Sequence, residues 1–170
     1  MTRDDIVTLF EYDAWATDRI LELLSGIAEA QFREDLKSSH GGIQGTLVHI
    51  YSANMILLQR WEGGSPSSHV GVEEIPDLES LTIRWKAYRT RLDNYLQSLT
   101  AAQLRAPLSH TDLKGVTHSE PLYQQMQHIV NHSSYHRGQI ITMLRQLGLK
   151  PVGTDMIAFF RTKPPAVSDE

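Results

Sequence analysis

The sequence predicts an all-α fold, a four-helix bundle with a small hairpin before the last long helix. Four stretches repeat apolar side chains at three-to-four spacing, the signature of amphipathic helices. One short region, Leu104 to Glu120, breaks that pattern. The length of 170 residues suits one domain, residues 1–170, and a 41% apolar share is enough for its core.

The first helix is expected from about Arg3 to Leu24. Thr2 can cap it, with Asp5 three residues on as the acidic half of a capping box. Ile6, Leu9, Phe10, Asp13, Ala14, Ile20, Leu21 and Leu24 set its period, and Ser25-Gly26 ends it. Loop residues Ser38 to Gly42 lead into a second helix, Ile43 to Trp61, which the run Glu62 to Ser68 closes. The third helix spans Leu78 to Leu99, and Thr100 to Leu104 continues as a turn or short helical piece. Leu108 to Asp112 and Val116 to Ser119 flank Leu113-Lys114-Gly115 as a two-stranded hairpin. Pro121 stands where a first helical residue belongs, and the fourth helix runs from there to Leu147, before Gly148 and Pro151. Thr154 to Phe160 is expected to form a last short helix, and residues 162–170 read as a frayed polar tail. The longer connections around the third helix leave the simple up-down-up-down order open.

Composition excludes several functions. A net charge of −4, without a run of Lys or Arg, argues against nucleic-acid binding. The absence of cysteine excludes disulfides, thiolate metal sites and a Cys nucleophile. The start of the chain does not resemble a signal peptide, and no apolar run is long enough for a bilayer, so the expected location is cytoplasmic.

The informative feature is a set of histidines. His128, His132 and His136 fall four apart on the last long helix, where i and i+4 share a face. This spacing lets two imidazoles reach one metal ion. Ser133 replaces the glutamate of H-E-x-x-H, so metalloprotease chemistry is not expected. At roughly 100° per residue, Leu122, Gln125, Ile129, Ile140, Met143 and Leu147 define a core sector of about 60°. His136 lies within it, His132 about 50° from its centre and His128 about 90° away. His132 and His136 are therefore the inward pair. His49, mid-helix among Thr46, Ile50, Ala53, Ile56 and Leu57, is the natural third ligand. His40, His69, His110 and His118 fall in loops or the hairpin.

Each residue also has a structural reading. A single half-buried histidine is more often a hydrogen-bonded residue than a ligand, but burying three neutral imidazoles without a common partner is costly. Trp15, Trp61 and Trp85 sit at core spacing and read as packing groups. Arg137 falls off the core face, where it suits a salt bridge or a dimer contact. Gly138, costing about 1 kcal/mol against Ala in mid-helix, suits the close approach of another helix.

These residues resemble the DinB-like bundle family of bacterial proteins, named for damage-inducible members. Glu11-Tyr12-Asp13-Ala14-Trp15-Ala16 is similar to its first-helix motif and Gly45-Thr46-Leu47-Val48-His49-Ile50 to its second. His128 to Gln139, followed by Thr142 to Gly148 and Pro151, carries the strongest resemblance. The resemblance implies a four-helix bundle, often a homodimer, with a metal triad that falls on His49, His132 and His136. It also implies a place for a low-molecular-weight thiol such as bacillithiol, mycothiol or glutathione, used by some relatives.

Three imidazoles leave a coordination position open, which is the pattern of a catalytic site. Zinc and nickel both suit the donor set. The first functional reading is a metal-dependent enzyme, such as a thiol S-transferase, acting on a small-molecule substrate. A metal-dependent hydrolase is the second, with Tyr12, Asp13 and Gln139 as candidate acid–base groups or orienters of an imidazole. The third is a metal-binding stress-response protein without turnover.

Overall fold

The computed structural model describes residues 1–163. Its order is α1 (Arg3–Leu24), α2 (Glu29–Arg33), α3 (Ile43–Trp61), α4 (Leu78–Ser98), α5 (Ala101–Arg105), β1 (Pro107–Thr111), β2 (Thr117–Pro121), α6 (Leu122–Gln146) and α7 (Met156–Phe160). The four long helices make the bundle. Thr2 and Asp5 form the reciprocal capping box at the start of α1, with Thr2 N–H donating to Asp5 at 2.8 Å. Asp77 caps α4 by accepting from the Ser80 N–H at 2.7 Å.

Helices α1 and α3 each pack against both α4 and α6. The first two long helices therefore sit across a diagonal rather than side by side. The connection holding α2 spans that diagonal, and Phe32 anchors it in the core. The core runs through all four helices. Its polar centre is Asn54, which donates to Ser133 Oγ at 3.1 Å and accepts from Tyr88 Oη at 2.9 Å. This network ties α3, α4 and α6 together, and burial raises the Tyr88 phenol well above its ordinary pKa.

The hairpin is antiparallel, with Pro107 opposite Pro121 and Thr111 opposite Thr117. Gln125 docks it on the bundle. Its amide donates to the Leu108 carbonyl at 2.8 Å, and its Oε1 accepts from Trp61 Nε1 at 3.1 Å. At the outer end of the hairpin β1 starts one residue earlier than its composition suggests, at Pro107, and β2 runs two residues further, to Pro121. Pro121 consequently closes β2 and caps α6 with extended backbone (ψ 135°), rather than occupying the first helical position.

Two expectations for α6 change. Arg137 is buried, because α1 covers a second face of α6 beside the one facing α3. Gly138 is exposed, and a Cβ placed on it would meet nothing within 4 Å, so no close helix approach explains it. The expected frayed tail is held at its start: the N–H of Thr162 donates to the Phe159 carbonyl at 2.9 Å. Residues 164–170 lie outside the described residues. Among the described residues, no helix is long and apolar enough to cross a membrane.

Candidate metal centre

The bundle brings histidines from α3, α6 and one loop together. His49 projects from the middle of α3, while His132 and His136 project from successive turns of α6. Their ring centroids are 5.0 Å apart for His49–His132, 4.6 Å for His49–His136 and 4.4 Å for His132–His136. The Nε2 atoms of His49 and His132 are 3.1 Å apart. Two nitrogens bound to one tetrahedral zinc at about 2.0–2.1 Å would lie roughly 3.3 Å apart, so the pair fits a shared cation.

Local interactions orient the rings. His136 Nδ1 lies 2.8 Å from Gln139 Oε1, an acceptor. Nδ1 therefore donates to Gln139, the arrangement by which a neighbour orients a ligating imidazole through its other nitrogen. Gln139 thus acts on the ring rather than on a substrate. Burial lowers the His49 pKa to about 3, with His40, His136, His132 and His69 adding repulsion. Burial, with His136 and His128 next, lowers His132 to about 4. Both rings are neutral at pH 7, as metal binding requires. The Nδ1 of His132 is buried without a partner among the described residues. His49 and His132 share one hydrogen bond through their Nε2 atoms, and a divalent cation bound between the rings would replace it.

His40 joins the cluster, although its loop position gave it no fixed place in the sequence. Its ring stacks on His49 at 3.8 Å with an interplanar angle of 16°. The ligating nitrogens of His40, His49 and His136 all lie within 4.8 Å of one another. Two glycines seat the loop. A Cβ on Gly45 would overlap the His40 carbonyl oxygen, and one on Gly42 would overlap that of Glu34. The loop backbone lies directly against the start of α3, a sequence signal present in Gly41-Gly42 and Gly45. Four imidazoles therefore surround the centre. His40 also meets His136 edge-on, at 66° with centroids 5.3 Å apart. His49 and His136 are common to two candidate triads, with His40 or His132 as the third ring.

The other histidines lie further out. His69 Nδ1 contacts Ser52 Oγ at 3.0 Å, and His128 is exposed one turn before His132. His118 Nε2 pairs with Asp112 at 3.1 Å, with His110 beside it on the hairpin.

A family model described as the DinB family matches residues 1–166. The chain belongs to the DinB family. "Protein DinB" of Bacillus subtilis (strain 168) is 27% identical over 166 residues, covering 91% of this chain and 94% of that protein. The crystal structure of a DinB-like protein from Bacillus cereus ATCC 10987 superposes with a TM-score of 0.62 at 18% identity, covering 85% of this chain and 94% of that one. At that identity the likeness speaks for the fold.

Within this DinB-family bundle, two other candidate residues serve elsewhere. Asp13 pairs with Arg137 Nη1 at 2.5 Å, both side chains buried. Tyr12 Oη donates to the Thr154 carbonyl at 3.0 Å. These contacts lie between α1, α6 and the segment before α7, on another face of α6 from His49. Trp61 and Trp85 are buried packing groups, and Trp15 is half-buried against Tyr12 and Phe159. A cavity of about 690 Å³ opens beside the histidines, between α3, α6 and the hairpin, and reaches them through His132, His128 and His69.

Proposed function

We propose that this chain holds one divalent cation, zinc or nickel, through His49, His132 and His136, and is a metal-dependent enzyme that transfers a group to or from a low-molecular-weight thiol. The observation that carries the proposal is the convergence of three imidazoles from two helices at the edge of a cavity sized for a small molecule. When bound at such a site, a divalent cation with an open position lowers the pKa of a thiol or water. The chain's own residues contribute orientation. Gln139 fixes the His136 tautomer, and the bundle holds the other rings neutral.

The hydrolase alternative asks for a general acid or base near the centre. The engagement of Asp13 by Arg137 and of Tyr12 by a backbone carbonyl removes two sequence candidates, and this favours the thiol reading. A metal-binding stress-response role without turnover is the remaining alternative. The same proposal takes the protein as a cytoplasmic homodimer, on the family likeness and on the lack of a membrane-spanning helix among the described residues. It includes a small-molecule substrate and no nucleic-acid partner, in keeping with the acidic net charge.

The test is a screen of bacillithiol, mycothiol and glutathione against alkylating electrophiles, using metal-loaded protein. The expected result is a thiol-dependent rate that chelation and His49→Ala both abolish. Ester hydrolysis without thiol consumption would favour the hydrolase. Full metal occupancy with no turnover would favour the stress-response role.

A further inference from the structure

The cavity has two chemically different ends. It runs along α3 from the histidines toward Arg60, eleven residues beyond His49, or about 16 Å of helix. Helix α6 forms the opposite wall. Ala53, Ile56, Leu57 and Ile129 make the middle apolar. At the outer end Arg60 is half-buried, and its Nε is shielded from solvent without an acceptor. No carboxylate among the described residues forms an ion pair with it. His110 Nδ1, lining the same end, is also buried without a partner.

Two acids line this end and must be accounted for. Asp112 is committed to its own turn: it accepts from the backbone N–H groups of Lys114 and Val116 at 2.8 and 2.9 Å, and it contacts His118 Nε2. Its field still acts on Arg60, but its oxygens are occupied. Glu120 acts on His110 from β2. Lys114 adds a second cation at the rim. A partly desolvated guanidinium with free donors facing a cavity is suited to an oxyanion, which it binds by charge-assisted, often bidentate hydrogen bonds.

We infer that Arg60, assisted by His110, forms an anion subsite, so that the cavity takes an elongated small molecule with an apolar body, its terminal oxyanion at Arg60 and its opposite end at the histidines. This rests on the proposed metal-centre reading for what happens at the inner end; the subsite itself is independent of the cation. A carboxylate and a phosphate share the required chemistry, and separate probes distinguish them.

The experiment titrates octanoate, octyl phosphate and 1-octanol into the whole chain, metal-free and zinc-loaded, by calorimetry. At least one anion is expected to bind the metal-free protein more tightly than 1-octanol, and the tighter anion identifies the group. R60M is expected to weaken that anion about ten- to a hundredfold, while R60K keeps most of the affinity and 1-octanol is unaffected. Zinc stoichiometry in R60M should match wild type, which separates subsite loss from misfolding. Equal binding of 1-octanol and both anions, undiminished anion binding in R60M, or no binding by any probe would overturn the inference. Loss of zinc binding in wild type with anion selectivity intact would refute the metal reading while supporting the subsite.

Discussion

Two polar clusters flank α6, one residue apart in sequence, and they are built on opposite principles. Toward α1, Arg137 is 1% exposed. It donates to Asp13 at 2.5 Å, to Thr17 at 3.3 Å and to Ser134 at 2.8 Å, and its guanidinium lies 5.4 Å from the centroid of the Tyr12 ring. Only its Nε lacks a partner. Toward α3, His132 and His136 meet His49 and His40 with no charge of opposite sign between them. The first cluster largely completes itself, so it needs nothing beyond the chain and serves to fix α1 on α6. The second has no acid among its rings, and burial holds His49 and His132 neutral, so it fits a cation from outside. Burial alone does not mark a functional site; the unmet bonding does.

This contrast can be broken most forcefully at Asp13. Asp13→Ala leaves a buried guanidinium without its counterion, and it should cost about 3–5 kcal/mol of stability. Urea denaturation would measure the loss, and metal stoichiometry in the folded fraction should stay unchanged. A loss of metal without a loss of stability would mean that the two clusters are not separate in role.

Gln139→Leu tests the other side. It removes the acceptor that orients His136, and it should reduce metal affinity about ten- to a hundredfold with little change in fold. Competition with a chromogenic chelator gives the affinity, and an unchanged value would remove Gln139 from the site.

A smaller effect concerns pH in the metal-free protein. The unfolded chain titrates its histidines near 6.5, whereas the folded state holds His49 at about 3 and His132 at about 4. Below pH 6.5 the unfolded state binds more protons, so this contribution is complete above 6.5 and declines as pH falls toward 4. The urea midpoint should drop between pH 7.5 and 5, by less in His49→Ala than in wild type. An equal drop in both proteins would contradict the assignment to this cluster.

The smallest change is at Gly138, between the two clusters. It is exposed and helical with room for a Cβ, so Gly138→Ala should stabilise by about 0.5–1 kcal/mol in thermal unfolding. A destabilised variant would point to a contact on that face outside the described chain.

The four long helices and the hairpin are legible in the sequence because periodicity, caps and turn residues agree. The proximity of His49, His132 and His136 is legible too, since one inward face of α6 meets one inward face of α3. Arg137 is not, because a wheel built around one apolar sector does not anticipate a helix covered on two faces. The short α2 has only Phe32 to bury and lacks a helical period. His40 reaches the cluster through a loop, so no residue spacing places it there, although Gly42 and Gly45 mark a backbone pressed against α3. The cavity depends on how the hairpin docks through Gln125, a tertiary contact that neither strand encodes alone.

The central claim is that one cation is held by His49, His132 and His136. Elemental analysis of purified protein, wild type beside His132→Ala and His40→Ala, tests it most directly. The expected result is about one divalent metal ion per chain in wild type, near-complete loss in His132→Ala and retention in His40→Ala. Metal-free wild type after zinc or nickel loading, or a His132→Ala protein that keeps its full complement, would contradict the claim.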